Sequence, residues 1–165
     1  MLLEEFFDYK NYLMEIFCSN KEILKLLTDD ENIAVPSPAM AYKKIFPLEY
    51  IPDTVGQGGT FICYDVDIAD VENETFLKPV LYIWIFTHKS KLRLPKGGLR
   101  LDSLSVEINK ELNGNRNFGL GKLSLKRVDR FVPIDDYQGR CLTYITKDFN
   151  NTRPSKKPPI NRRDR

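Results

Sequence analysis

The sequence predicts an α+β fold, a mostly antiparallel sheet of about four strands with an N-terminal helical hairpin and one helix between two strand pairs. Three observations lead there. Apolar residues recur in steps of four and three at the start of the chain and again near its middle, which places them on one face of a helix. Elsewhere apolar side chains alternate with acids, or fill a run completely, as in half-buried and central strands. The resulting order is helix, helix, strand, strand, helix, strand, strand, with the folded unit expected over residues 1–150 and a basic, proline-rich tail over 151–165.

The first helix follows from Leu2, Phe6, Tyr9, Leu13 and Ile16, a stripe that Leu3, Phe7, Met14 and Phe17 widen. Ser19 stands three residues before Glu22, the spacing of a capping box, so a second helix carrying Ile23, Leu24 and Leu27 should begin there and end around Asp29–Asn32. Pro36, Pro38, Pro47 and Pro52 then keep the chain irregular or extended up to about Thr60, because each fixes its own φ and restricts the residue before it. From Phe61 to Ile68, Ile62, Tyr64, Val66 and Ile68 share one face of a strand while Asp65 and Asp67 lie on the other. Val80 to Phe86 is apolar on both faces and reads as a central strand. Leu101, Leu104, Ile108 and Leu112 form the stripe of the third helix, which stops at Asn113-Gly114. A strand marked by Leu123 and Leu125 slips in phase before Val128 and Phe131, as a bulge would cause. Arg140 to Ile145 supplies the last strand.

Composition narrows the chemistry. The chain has 165 residues, 25 Lys and Arg against 23 Asp and Glu, a formal charge of +2, one histidine and three cysteines. So small a stock of His and Cys leaves almost no material for a zinc site or a histidine-based triad. Cys18, Cys63 and Cys141 are far apart, odd in number and without a C-x-x-C pair, which suits a reducing cytosol better than a disulfide scaffold. Glu4, Glu5, Asp8 and Glu15 interrupt the apolar N-terminus and argue against a signal peptide. The longest apolar run, Pro79 to Phe86, is far shorter than the roughly 20 residues a spanning helix needs, so no membrane partner is expected. No cofactor, metal or catalytic residue is expected either.

Several motifs invite function. Gly114 and Gly119 have the glycine spacing of a P-loop, but Leu120 and Gly121 follow where Lys and Ser or Thr belong, and the segment runs from helix to strand, so a turn is the better reading. Asp65 and Asp67, with Asp70 and Glu72 nearby, could hold a divalent metal in a nuclease, or could simply be a solvated strand face. His88, unique and at a strand end, fits an interfacial or hydrogen-bonded role. Arg100 opens the third helix, where the dipole disfavours it, so it should pair with Asp102 or with a neighbouring chain, or stand exposed. Ile45 to Pro52 carries five large apolar residues on an irregular arm, which either pack on their own core or anchor another subunit.

Taken together, Ile45-Phe46-Pro47, Tyr50-Ile51-Pro52-Asp53-Thr54, the Phe61–Ile68 strand, His88-Lys89, Gly98-Leu99-Arg100-Leu101-Asp102, Glu111-Leu112-Asn113, Phe118-Gly119-Leu120-Gly121, Tyr137-Gln138-Gly139-Arg140 and Asp148-Phe149-Asn150 resemble the neck and tail-completion proteins of tailed bacteriophages, the tail terminators and head-tail joining proteins. The resemblance covers roughly residues 1–150. It implies a non-enzymatic virion component, assembled in the host cytoplasm, that closes into a homo-oligomeric ring, sixfold or twelvefold, and meets neck, portal or tail-tube proteins and DNA in the channel. It also implies subunit or partner contacts at Phe46, Tyr50, Ile51, Trp84, His88, Arg100 and Asp102. The alternative is a small nucleic-acid-binding protein using Lys156, Lys157, Arg162, Arg163 and Arg165 of the tail. The tail holds six basic residues and one acid, net +5, which leaves residues 1–150 at −3.

Overall fold

In the computed structural model, which describes residues 4–49, 58–72 and 75–150, the framework is a pair of long antiparallel strands. β2 (Thr60–Glu72) and β3 (Phe76–His88) pair from Thr60 opposite Thr87 to Glu72 opposite Phe76, with a register shift between Ile68 and Asp70. On its other side β3 takes β5 (Tyr137–Ile145), and β5 takes β4 (Ser124–Phe131), both antiparallel. Two short strands complete the sheet. β1 (Ile45–Phe46) lies parallel to β2 with Phe46 opposite Cys63, and β6 (Asp148–Phe149) pairs with the start of β3. The lateral order is β1-β2-β3-β5-β4.

The four long strands are the four that alternation predicts, and the α+β class holds. The phase slip after Leu125 is real, a register shift between Leu125 and Arg127. The two-residue strands have no sequence signature, because such pieces are fixed by the neighbour they lie against. β1 falls in the proline-rich stretch expected to be irregular.

Three helices cover one face: α1 (Glu4–Ser19), α2 (Lys21–Thr28) and α3 (Arg100–Leu112). Leu13 and Phe17 of α1, Ile23 and Leu27 of α2, and Leu101, Leu104, Ile108 and Leu112 of α3 meet Ile62, Tyr64, Val66, Leu81, Ile83, Ile85, Leu142 and Tyr144 of the sheet in one buried cluster. Each fully buried Leu or Ile there contributes about 1.5–3 kcal/mol. Tyrosine hydroxyls tie the layers: Tyr64 donates to the Lys10 carbonyl at 2.8 Å and Tyr144 to Asn109 Oδ1 at 3.2 Å. None of these helices is long and apolar enough to cross a membrane.

Two helix details differ from expectation. The capping box fails because Ser19 is still the last residue of α1. Asn20 is the cap instead, its Oδ1 accepting from the Ile23 N–H at 2.9 Å while its amide donates to Glu111 Oε1 of α3 at 2.7 Å. Phe7 does not extend the core stripe but stands 69% exposed. The end of α2 is where expected, with Asp29 in the left-handed region at φ 61°.

Gly139 shows how closely the central strands are set. A Cβ there would come 2.5 Å from the Ile85 carbonyl oxygen and 2.9 Å from Phe86 Cβ, well inside contact distance. Gly121, by contrast, has nothing within 4 Å. Gly139→Ala should therefore cost about 2 kcal/mol or more in urea unfolding, with Gly121→Ala close to wild type.

Candidate interaction surfaces

The sheet face away from the helices has a different character. Strand alternation brings Phe61 and Cys63 of β2, Phe86 of β3 and Tyr137 of β5 to that face, where they form a second buried cluster with Phe46, packed by Trp84, Phe131 and Ile134. Phe61 and Phe86 stack with ring centres 5.4 Å apart, and Tyr137 and Phe131 meet Phe86 edge-on. Lys44 lies 4.6 Å over the Phe61 ring, and burial pushes its amine below the ordinary lysine range. Further along the strands Tyr82 and Trp84 stack at 5.7 Å and stay half-buried. None of α1, α2 and α3 contributes to this cluster.

The expected contact residues scatter over this frame. Phe46 is buried in the second cluster and Ile45 in the first, so this part of the arm packs on its own core. Tyr50 and Ile51 lie outside the described residues, as do Lys156, Lys157, Arg162, Arg163 and Arg165. Trp84 is on the second face. His88 accepts from the Ser90 N–H at 3.3 Å, caps the short turn Lys89–Lys91 and sets its ring edge-on to Tyr137, a local structural role.

Arg100 and Asp102 do not pair with each other. Arg100 is 3% exposed, and its guanidinium donates to the Lys91 carbonyl at 2.8 Å, the Leu26 carbonyl at 2.5 Å and Asp29 Oδ1 at 2.5 Å. It thus clamps the C-terminus of α2 to the start of α3 and spends its donors inside the chain. Asp102 pairs with Arg140 of β5. Adjacent positions in a helix point in different directions, so partners 71 and 38 residues away win over the sequence neighbour.

The remaining motifs resolve as structure. In the Gly114–Gly121 segment the Gly119 N–H goes to the Tyr9 hydroxyl at 2.8 Å and the Leu120 N–H to the Lys147 carbonyl at 2.8 Å, so these amides are not free to cradle a phosphate. The Tyr9 hydroxyl itself donates to Asp148 Oδ2 at 3.0 Å, and burial together with that carboxylate pushes its pKa up. Asp65 is held by Lys10 at 2.6 Å, Asp67 is exposed, and among the described residues no three His, Cys, Asp or Glu side chains gather to hold a metal. No disulfide joins Cys18, Cys63 and Cys141, and burial raises the Cys18 and Cys141 thiols.

What periodicity did not reveal is the pair of sheet edges. Among the described residues no strand follows beyond β4, and the exposed apolar residues Val128 and Val132 flank that rim. A cavity of about 380 Å³ opens beside it, with Leu92, Leu99, Leu101 and Val128 as its apolar lining. Spacing could have flagged Val128, which falls out of phase at the bulge; nothing local marks Leu99.

A family model described as YomW matches residues 20–146. Among solved structures, a chain of the virion of a native gene transfer agent particle is similar at 16% identity and a TM-score of 0.46, over 65% of this chain and 79% of that one. No curated protein matches.

The clamp gives a test with a pH signature. Burial acts to raise the Asp29 pKa, but the hydrogen bonds from Lys91 and Arg100 outweigh it and hold the carboxyl below the usual range. A depressed folded-state pKa contributes stability above the unfolded value near 4, and that contribution is lost as pH falls through the folded value. Arg100→Ala should cost about 2–4 kcal/mol at pH 7, because the Leu26 and Lys91 carbonyls also lose their donor. The gap to wild type should narrow in urea titrations below about pH 4.

Proposed function

The chain belongs to the YomW family, and from that premise we propose that it is a structural protein of a tailed-bacteriophage virion. It assembles into a closed ring in the neck, where it terminates the tail tube or joins it to the head and portal complex. It acts by assembly, not by catalysis.

The observation that carries this reading is the distribution of apolar surface. Among the exposed large apolar residues described, Leu99 and Val128 line one cavity beside β4, Val132 follows that strand, and Phe7 stands 69% exposed on α1. The half-buried Tyr82–Trp84 pair adds aromatic surface on the face that no described helix covers. Aromatic and aliphatic groups so placed are those that anchor subunit contacts. The resemblance of residues 1–150 to neck and tail-completion proteins supplies the setting. The cationic segment 151–165, net +5 beside a body of net −3, suits an acidic neighbouring subunit or the DNA passing through the channel.

Electron microscopy of the concentrated full-length protein, alone and with tail tubes, tests this. Closed rings or stacked tubes are the expected outcome. A persistent monomer that also fails to join tail tubes overturns the reading. Tight, salt-dependent DNA binding by that monomer, lost on deleting residues 151–165, would replace it with a nucleic-acid-binding function.

A further inference from the structure

Among the described residues the two lateral edges of the sheet are both open, and they are chemically opposite. On one side is β4, whose sequence Ser124–Phe131 holds Lys126, Arg127 and Arg130 against a single acid, Asp129. Arg127 is partly neutralised by Asp129 at 2.5 Å, while Lys126 has no ion-pair partner among the described residues. Val128 and Val132 are 42% and 47% exposed there, beside the cavity lined by Leu92, Leu99, Leu101 and Val128.

On the other side, β1 pairs with β2 only at Ile62 and Cys63, so among the described residues the strand from Tyr64 to Glu72 has no neighbour on its outer side. That stretch contains four acids and no base in its sequence. Asp65 is engaged by Lys10 and by the Val66 N–H, which leaves Asp67 as the exposed acid without an ion-pair partner among the described residues. α1 runs over this edge, fixed by Lys10 to Asp65 and by Tyr64 to the Lys10 carbonyl. Phe7 stands one turn before Lys10 and therefore on the same side of the helix, away from Tyr9, which is tied to Asp148. At 69% exposure it is the most exposed large apolar side chain described.

We propose that these edges are the two halves of one interface between copies of this chain: β4 of one copy adds to β2 of the next, and Phe7 of that next copy enters the apolar cavity beside β4. Strand direction permits it. β2, β3, β5 and β4 are successively antiparallel, so a second β2 placed beyond β4 continues the alternation. The helices of both copies then lie on one side of a continuous sheet, which is the side of α1 and Phe7 and also the side of Leu101 in α3. Basic β4 meets acidic β2, whereas β4 against β4 or β2 against β2 would oppose like charges. The contact is heterologous, the type that closes into a ring when the rotation between copies permits. Backbone groups on the outer sides of both strands supply the ladder, the Val66 N–H leaving the Asp65 carboxylate to join it, while the charges set partner and register and the phenylalanine supplies the apolar anchor.

The inference rests on the ring reading, and its experiment separates the two. Full-length wild type, Phe7→Glu, the double variant Lys126→Glu/Arg127→Glu, which reverses the bases of β4 nearest the face that carries Asp67, and Asp67→Lys are compared by light scattering after size exclusion and by electron microscopy, with circular dichroism confirming each fold. All substituted positions are solvent-facing, so folding should persist. The protein concentration needed for rings should rise at least tenfold in each variant. Mixing the double variant with Asp67→Lys should restore rings at least in part, because in an alternating arrangement the reversed positions of β4 face the reversed position of β2 and the other interface is wild type on both sides. Rings that persist unchanged in the variants, or variants that stay apart when mixed, overturn the edge pairing and leave the ring reading standing. Wild type that forms no ring in any setting overturns both.

Discussion

β3 is apolar on both faces, and from that property the rest of the architecture follows. Leu81, Ile83 and Ile85 on one side and Val80 and Phe86 on the other are nearly inaccessible to water. A strand of this kind must have a neighbour on each edge to satisfy its backbone and a layer on each face to cover its side chains. β2 and β5 supply the edges. The three helices supply one layer, and their stripes converge on it although α2 and α3 are separated by almost the whole of the β2–β3 framework. Aromatic side chains of the sheet itself supply the other layer at one end, where Phe46, Phe61, Tyr137 and Phe131 close over Phe86.

The two faces are therefore finished in different ways, and that difference is what leaves surface for assembly. The helical face closes as a conventional core, locked at its corners by polar side chains, of which Arg100 is buried and Asn20 and Tyr9 are half-buried. Arg100 joins α2 to α3, Asn20 joins α2 to Glu111, and Tyr9 joins α1 to β6. Such groups are costly to bury unless every donor finds an acceptor, so they fix the angles between helices more sharply than apolar packing does. The other face closes only where its aromatics reach. Past Trp84 and Tyr82 it turns to Asp65 and Asp67 on one strand and Arg127 and Asp129 on another.

Most of the framework was legible because it rests on local periodicity. The apolar stripes of α1, α2 and α3, the alternation in β2, the double-sided apolarity of β3 and the bulge in β4 are each written within one segment. What was not legible depends on residues far apart in the chain. Nothing near Arg100 indicates Asp29, and Asp102 was the plausible partner until the fold turned it towards Arg140. Phe7 reads as core because a stripe cannot say how far round the helix the sheet extends; here Leu13 and Phe17 reach the core while Phe7 stands exposed. Ser19 reads as a cap because its spacing to Glu22 is right, yet α1 continues through it and Asn20 takes the turn. The sheet edges could not be named from sequence, since which strand lies outermost is a property of topology.

Topology also changes what the charge balance means. The formal total of +2 suggests a nearly neutral molecule, and a segregation between tail and body already qualifies that. Within the body there is a second segregation, with acids on the β2 edge and bases on the β4 edge, at opposite ends of the strand order. An open strand edge is a liability because it pairs with any other open edge, and proteins ordinarily blunt it with charge of one sign. Here opposite charge blunts each edge against its own kind while leaving it complementary to the other. Self-association is then restricted to one relative orientation, head to tail, which is the condition a closed ring requires and which indiscriminate aggregation does not meet.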